Sequence, residues 1–188
     1  MGIPGGKKLN VAYDPTPSSW SKKDEEWGEI GDLAAFAQNL YLLDKTNGQI
    51  LKYVGVEDGF SSPRNYLVKD IKPDFSKSLS LTIDGSVWVL NSDNTVAKFV
   101  QGNPQNFNIT GVEPSLTSPT KIFASEDTKN VYFLESGKNR VVVLDKDGVY
   151  QAQYLWDGIS TVTDLIALED SKNILLIAGP KIYSLNLK

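Results

Sequence analysis

The sequence predicts an all-β protein, a β-propeller of four blades, each an antiparallel sheet of about four strands. Three observations predict it. A phrase of strand, polar turn and strand recurs: "TKIFASEDTKNVYFLE" (120–135) returns as "TDLIALEDSKNILLIA" (163–178), an offset of 43 residues. Tight-turn pairs at Asn47–Gly48, Asp84–Gly85 and Asp147–Gly148 punctuate the chain between apolar runs, as β-hairpins require. The same grammar covers four units with a period of roughly 43 to 47 residues, the length of a four-stranded propeller blade.

The elements follow in order. In the first unit "DLAAFA" turns at Gln38–Asn39 into "LYLLD", and "KTNG" leads into "QILKYV". In the second, "LSLTI" turns at Asp84–Gly85 into "SVWVLN", and "SDN" leads into "TVAKFV". The third and fourth units are the repeated phrases, continued by "RVVVLD" and by "KIYSLNL". The blades fall near 32–78, 79–119, 120–162 and 163–188. The second strand of each is densely apolar ("LYLL", "VWVL", "VYFL", "ILLI"), which predicts a strand buried on both faces between neighbouring blades. A weaker outer strand is expected near 64–69, 106–110 and 149–155. The fourth unit has none, and "KLNVAY" (8–13) at the head of the chain is expected to complete the last blade and cover its edge. The same ends also suit a second arrangement, in which two chains each supply half of an eight-bladed ring. Residues 22–33, "KKDEEWGEIGDL", carry first-turn acids but are broken by Gly28 and Gly31, so a loop or single turn bearing Trp27 is expected there.

Composition narrows the chemistry. The 188 residues include no Cys and no His, which removes disulfides, thiolate nucleophiles, Ser-His-Asp triads and Cys/His zinc sites. A net charge of −4 gives no basic footprint for nucleic acid. No apolar run approaches the roughly 18–20 residues that span a bilayer, so no membrane insertion is expected. "GIPGG" near the N-terminus lacks the Gly-Lys-Ser/Thr ending of a phosphate loop. "DKDG" at 145–148 reads as a β-turn, because the twelfth position of a calcium loop begun at Asp145 is Trp156.

"NRVVVLDKDGVYQAQY" (139–154) resembles the core of NHL-type repeats, in which Asn-Arg, an apolar strand and an Asp-x-x-Gly turn form the outer half of a blade. The longer order "EEWGEIGDLAAFAQNLYLLD", "IDGSVWVL", "EDTKNVYFLESGKNRVVVLDKDGVYQAQY" and "KIYSLNL" resembles the C-terminal propeller of large bacterial proteins. The N-terminal part of those proteins resembles PPM-type serine/threonine phosphatases. The resemblance implies a propeller sensor or interaction module that carries no phosphatase chemistry.

Candidate site residues are few. Asp32 and Asp164 start the first strands of their blades, where a central channel would open, and Lys121 is the counterpart of Asp164 at the 43-residue offset. Such a ring could bind a small polar ligand or a cation, and it equally suits bonding of backbone amides. Trp20, Trp27 and Trp156 lie in connections, where they would clamp blade seams or form a recognition patch. Trp88, within "SVWVL", is expected in the core. No catalytic constellation, resident metal or cofactor is expected. The expected function is a non-catalytic module binding a protein, peptide or glycan through ring-face loops, as monomer or homodimer. A metal-dependent propeller hydrolase or lyase using channel carboxylates is the alternative, and a structural fragment of a larger propeller the third.

Overall fold

The computed structural model describes residues 27–57 and 59–188. Among these residues sixteen strands form antiparallel sheets that follow one another as the four blades of a β-propeller, with two short 3-10 turns, Ser136–Lys138 and Asp157–Thr161, as the helical elements. Blade 1 holds β1 (Ile30–Phe36), β2 (Asn39–Asp44), β3 (Gln49–Val56), β4 (Gly59–Phe60) and β5 (Arg64–Asn65). Blade 2 holds β6 (Ser78–Ile83), β7 (Ser86–Asn91), β8 (Val96–Val100) and β9 (Asn103–Gln105). Blade 3 holds β10 (Lys121–Phe123), β11 (Asn130–Glu135), β12 (Arg140–Asp145) and β13 (Tyr150–Leu155), and blade 4 holds β14 (Asp164–Leu168), β15 (Asn173–Ala178) and β16 (Lys181–Asn186). The expected closing strand, 8–13, lies outside the described residues.

Several boundaries differ from the sequence expectation, each for a local reason. The first hairpin turns at Ala37 and Gln38, whose φ values of 46° and 63° give the left-handed pair that matches strand twist. Asn39 instead opens β2 and donates its side-chain amide to the Ala37 carbonyl at 3.0 Å. The outer strand of blade 1 is split: β4 extends the hairpin of β3, Pro63 then interrupts pairing because it has no N–H, and β5 resumes beside Leu51 and Lys52. The outer strand of blade 2 is 103–105, not 106–110. Gln101 and Gly102 (φ 49° and 79°) make a tight turn, and Pro104 is tolerated because β9 is an edge. The expected outer strand at 149–155 appears as β13.

Strands β2, β7 and β11 are buried on both faces, as their composition predicts. Strand β15 is not. Its burial alternates, with Ile174, Leu176 and Ala178 facing blade 3 and Leu175 and Ile177 facing away, half-exposed. The apolar core is therefore a series of seams. Tyr41, Leu43 and Ile50 meet Leu81, Val87 and Val89 between blades 1 and 2. Trp88 and Leu90 meet Ile122, Val131, Phe133 and Val142 between blades 2 and 3. Tyr132, Leu134 and Val141 meet Leu165, Ile174 and Leu176 between blades 3 and 4. Among the described residues no such cluster joins blade 4 to blade 1.

Each seam also carries polar ties. Leu81 N donates to Asp32 Oδ2 at 2.8 Å. Thr82 Oγ1 donates to the Ala124 carbonyl at 2.8 Å and accepts the Ala124 amide at 3.2 Å. The Glu169 carboxylate accepts Lys129 N, Asn130 N, Asn130 Nδ2 and Tyr132 OH, all within 3.1 Å. One buried aliphatic side chain contributes about 1.5–3 kcal/mol, against about 1 kcal/mol net for a neutral hydrogen bond. With several aliphatics per seam, apolar burial holds the blades together, and the polar ties fix their register.

Candidate functional site

The first strands of the blades run along the inner side, and their N-terminal ends open on one ring face. There the structure brings Asp32 and Lys121 together. Asp32 Oδ1 accepts its neighbour Leu33 N at 2.9 Å, Oδ2 accepts Leu81 N from blade 2, and Lys121 Nζ from blade 3 stands 3.8 Å from Oδ2. The carboxylate thus joins three blades. A partly exposed pair at this distance contributes at most about 1 kcal/mol, so its effect is on placement more than on stability. Asp164 is not part of this group. It is exposed and, among the described residues, accepts only Leu165 N, at 2.8 Å.

The tryptophans separate. Trp27 is half-buried, its ring edge-on to Tyr53 with centroids 6.1 Å apart, so it packs on blade 1. Trp20 lies outside the described residues. Trp88 is fully buried, and its indole N–H donates to Asp84 Oδ1 at 2.8 Å. Lys98 Nζ sits 4.2 Å from the Trp88 ring, and Lys146 pairs with Asp84 at 2.8 Å, so the turns of the opposite ring face are tied across blades 2 and 3. Trp156 remains 39% exposed, and its ring meets Tyr183 with centroids 4.8 Å apart. Gly158 makes that placement possible, because a Cβ there would overlap the indole. Together with Leu176, Ser184 and Leu185 the two rings line a recess of about 310 Å³ beside β16.

Sequence reasoning missed Tyr183 and the seam between blades 3 and 4 at Glu169. That seam borders a second recess of about 330 Å³, lined by Tyr132, Gln151, Tyr154 and Glu169 among others. Burial alone would push the Glu169 carboxyl up, but the Lys129 amide, the Tyr132 hydroxyl and the Asn130 side chain and amide hold it below the ordinary range. Burial, with the bond to Glu169, pushes the Tyr132 hydroxyl well up. The repeat gave a partial signal, since Glu169 of "LEDSKN" aligns with Glu126 of "SEDTKN". Glu126 is exposed, so the alignment alone could not single out Glu169. Among the described residues no three carboxylates gather in a set that could hold a metal ion.

These features define a β-propeller. No protein-family model matches the chain, and no curated protein matches it. Solved structures do. The computationally designed Ika4 protein is 16% identical with a TM-score of 0.56, over 86% of this chain and 92% of that one. The designed Ika8 protein is 16% identical with a TM-score of 0.54, over 84% of this chain and 46% of that one. A catalytically inactive virginiamycin B lyase from Staphylococcus aureus is 11% identical with a TM-score of 0.52, over 87% of this chain and 57% of the lyase. The chain thus spans nearly all of Ika4 and about half of the other two. At these identities the likeness is one of fold, shared by proteins of varied roles.

Proposed function

We propose that the chain is a non-catalytic interaction module that binds a protein or peptide through the ring-face loop carrying Trp156. The observation behind this reading is the recess of Trp156, Leu176, Tyr183, Ser184 and Leu185. It is mostly aromatic and aliphatic, with the Tyr183 and Ser184 hydroxyls and the Trp156 indole N–H as its side-chain polar groups, and Ser184 Oγ already donates to Asn173 Oδ1. This suits an apolar side chain of an extended segment. In the candidate channel pair the Asp32 carboxylate accepts two backbone amides and faces Lys121, in keeping with a positioning role. The resemblance to propellers of phosphatase-like bacterial proteins fits a partner-facing part in the same way.

The test is selection of a displayed library of unstructured peptides on the immobilised protein, followed by titration of the selected peptides. Loss of an aromatic anchor typically costs about 2 kcal/mol, roughly 30-fold in affinity. Trp156→Ala is expected to weaken selected peptides by that much with the thermal midpoint nearly unchanged. Selection of peptides whose binding ignores Trp156→Ala and Tyr183→Ala would refute the assignment.

A further inference from the structure

We propose that the outer face of blade 4 receives the rear face of blade 1 from a second copy of this chain. The new seam would be of the kind already present between consecutive blades. This inference is independent of the Trp156 recess and of what binds there.

Blade 4 presents one aliphatic face away from blade 3. Ile166 pairs with Leu175, and Ile177 pairs with Ile182, so their side chains stand together on that face. Ile166 and Leu168 are each 41% exposed and Ile182 is 69% exposed. The equivalent outward faces of the other blades are covered by the next blade in each seam. On the rear face of blade 1 the open part is the inner strand: Leu33 is 61% exposed and Ala35 is exposed, while further out on the same face Leu42 and Tyr53 are buried and Trp27 packs on Tyr53. These two faces do not cover one another within a single chain, since Leu33 and Ile182 are both open.

Asp164 adds a polar sign of the same seam. At the start of blade 1, Asp32 uses Oδ1 for the amide that follows it and Oδ2 for an amide of the next blade. At the equivalent place on blade 4, Asp164 makes the first of these bonds and, among the described residues, lacks the second. It is half of a seam tie, facing where a fifth blade would stand. A second copy supplies that blade. The seam formed twice, head to tail in both directions, closes a two-fold ring in which Leu33 and the aliphatic face of blade 4 both leave water.

The test uses light scattering behind size-exclusion chromatography on the full chain, with Ile182→Glu and Leu33→Glu as variants. Both positions are exposed within one chain, so the substitutions leave the blade cores intact, and near-ultraviolet circular dichroism checks this. The wild type is expected at about 41 kDa, twice the 20.7 kDa chain. Each variant alone is expected at the single-chain mass, because each spoils both seams of its own pair. An equimolar mixture of the two variants is expected to recover the double mass, since the mixed pair retains one unaltered seam. A wild type at the single-chain mass throughout the micromolar range would overturn the proposal. So would a mixture that stays monomeric.

Discussion

Removing Arg140 tests how the fold handles its one deeply buried ion pair among the described residues. Arg140 is 2% exposed and Glu135 fully buried, with Nε 2.6 Å from Oε2. The guanidinium also donates to Gln153 Oε1, the Pro114 carbonyl and the Ser115 carbonyl, and so anchors the connection entering blade 3. The other carboxylate oxygen accepts Thr117 N and Ser118 N from the same connection. Arg140→Met removes the buried partner of the Glu135 carboxylate and leaves it only the half-buried Lys138, 3.6 Å from Oε1, at a cost of about 3–5 kcal/mol. In a domain of this size each kcal/mol moves the thermal midpoint by about 2–4 °C, so a fall of roughly 6–20 °C is expected by circular dichroism at neutral pH. Glu135→Gln should cost about half as much, because it keeps an acceptor for the two amides and leaves Arg140 its three other acceptors.

The acid limb gives an independent reading. Burial alone would raise the Glu135 carboxyl, but the Thr117 amide, Arg140 and the Ser118 amide together hold it below its ordinary value of 4.5. A carboxyl depressed on folding contributes stability above its unfolded value and loses it as pH falls through that value toward the folded one. Without Arg140 the balance tips toward burial, and Glu135 in the variant takes up its proton at higher pH. The midpoint gap between wild type and Arg140→Met is therefore expected to narrow on acidification below about pH 5. A gap under 2 °C at pH 7, or one that does not change with pH, would refute the reasoning.

Two further outcomes follow from single contacts. Thr82→Val keeps the side-chain shape but leaves the Ala124 amide and carbonyl without their partner across the seam of blades 2 and 3; a loss of about 1–3 kcal/mol in urea unfolding is expected, and no change would mean that the tie is dispensable. Gly158→Ala displaces the Trp156 ring from its place over the following turn; a red shift in tryptophan emission is expected, with a weaker effect on unfolding than Thr82→Val.

The parts of the fold that the sequence announced were those with a period. Alternating strands, Gly-containing turns and a phrase repeated at 43 residues located the blades, because every blade solves the same burial problem with the same spacing. Boundaries shift where turn chemistry is unobvious: Gln101–Gly102, before the outer strand of blade 2, and Ala37–Gln38, in the first hairpin, reach left-handed conformations without an Asn-Gly or Asp-Gly signature. Strand β15 reads as densely apolar as β7, yet only one of its faces is covered, since composition records what a strand can bury and not whether a neighbour stands there. At the site, the 43-residue offset identified Asp164 and Lys121 as counterparts. It could not foresee that Lys121 would reach Asp32 across blade 2 while Asp164 stays outside the group. The Trp156 placement rests on Gly158 two residues on, a dependence that only three-dimensional overlap reveals.

The tie from Asp32 to the Leu81 amide has a sense of rotation. Here, and at Thr82 with Ala124, a side chain of one module reads the main chain of the module after it, whereas Glu169 reads the module before it; none of the three is reciprocated by a second copy of itself. Contacts of that kind carry direction without number. A module gained or lost by duplication would leave every remaining junction chemically intact. The circumference is then set by the small angle each junction imposes and by where the stack meets its own beginning, and lineages built on such junctions are free to change size without inventing a new surface.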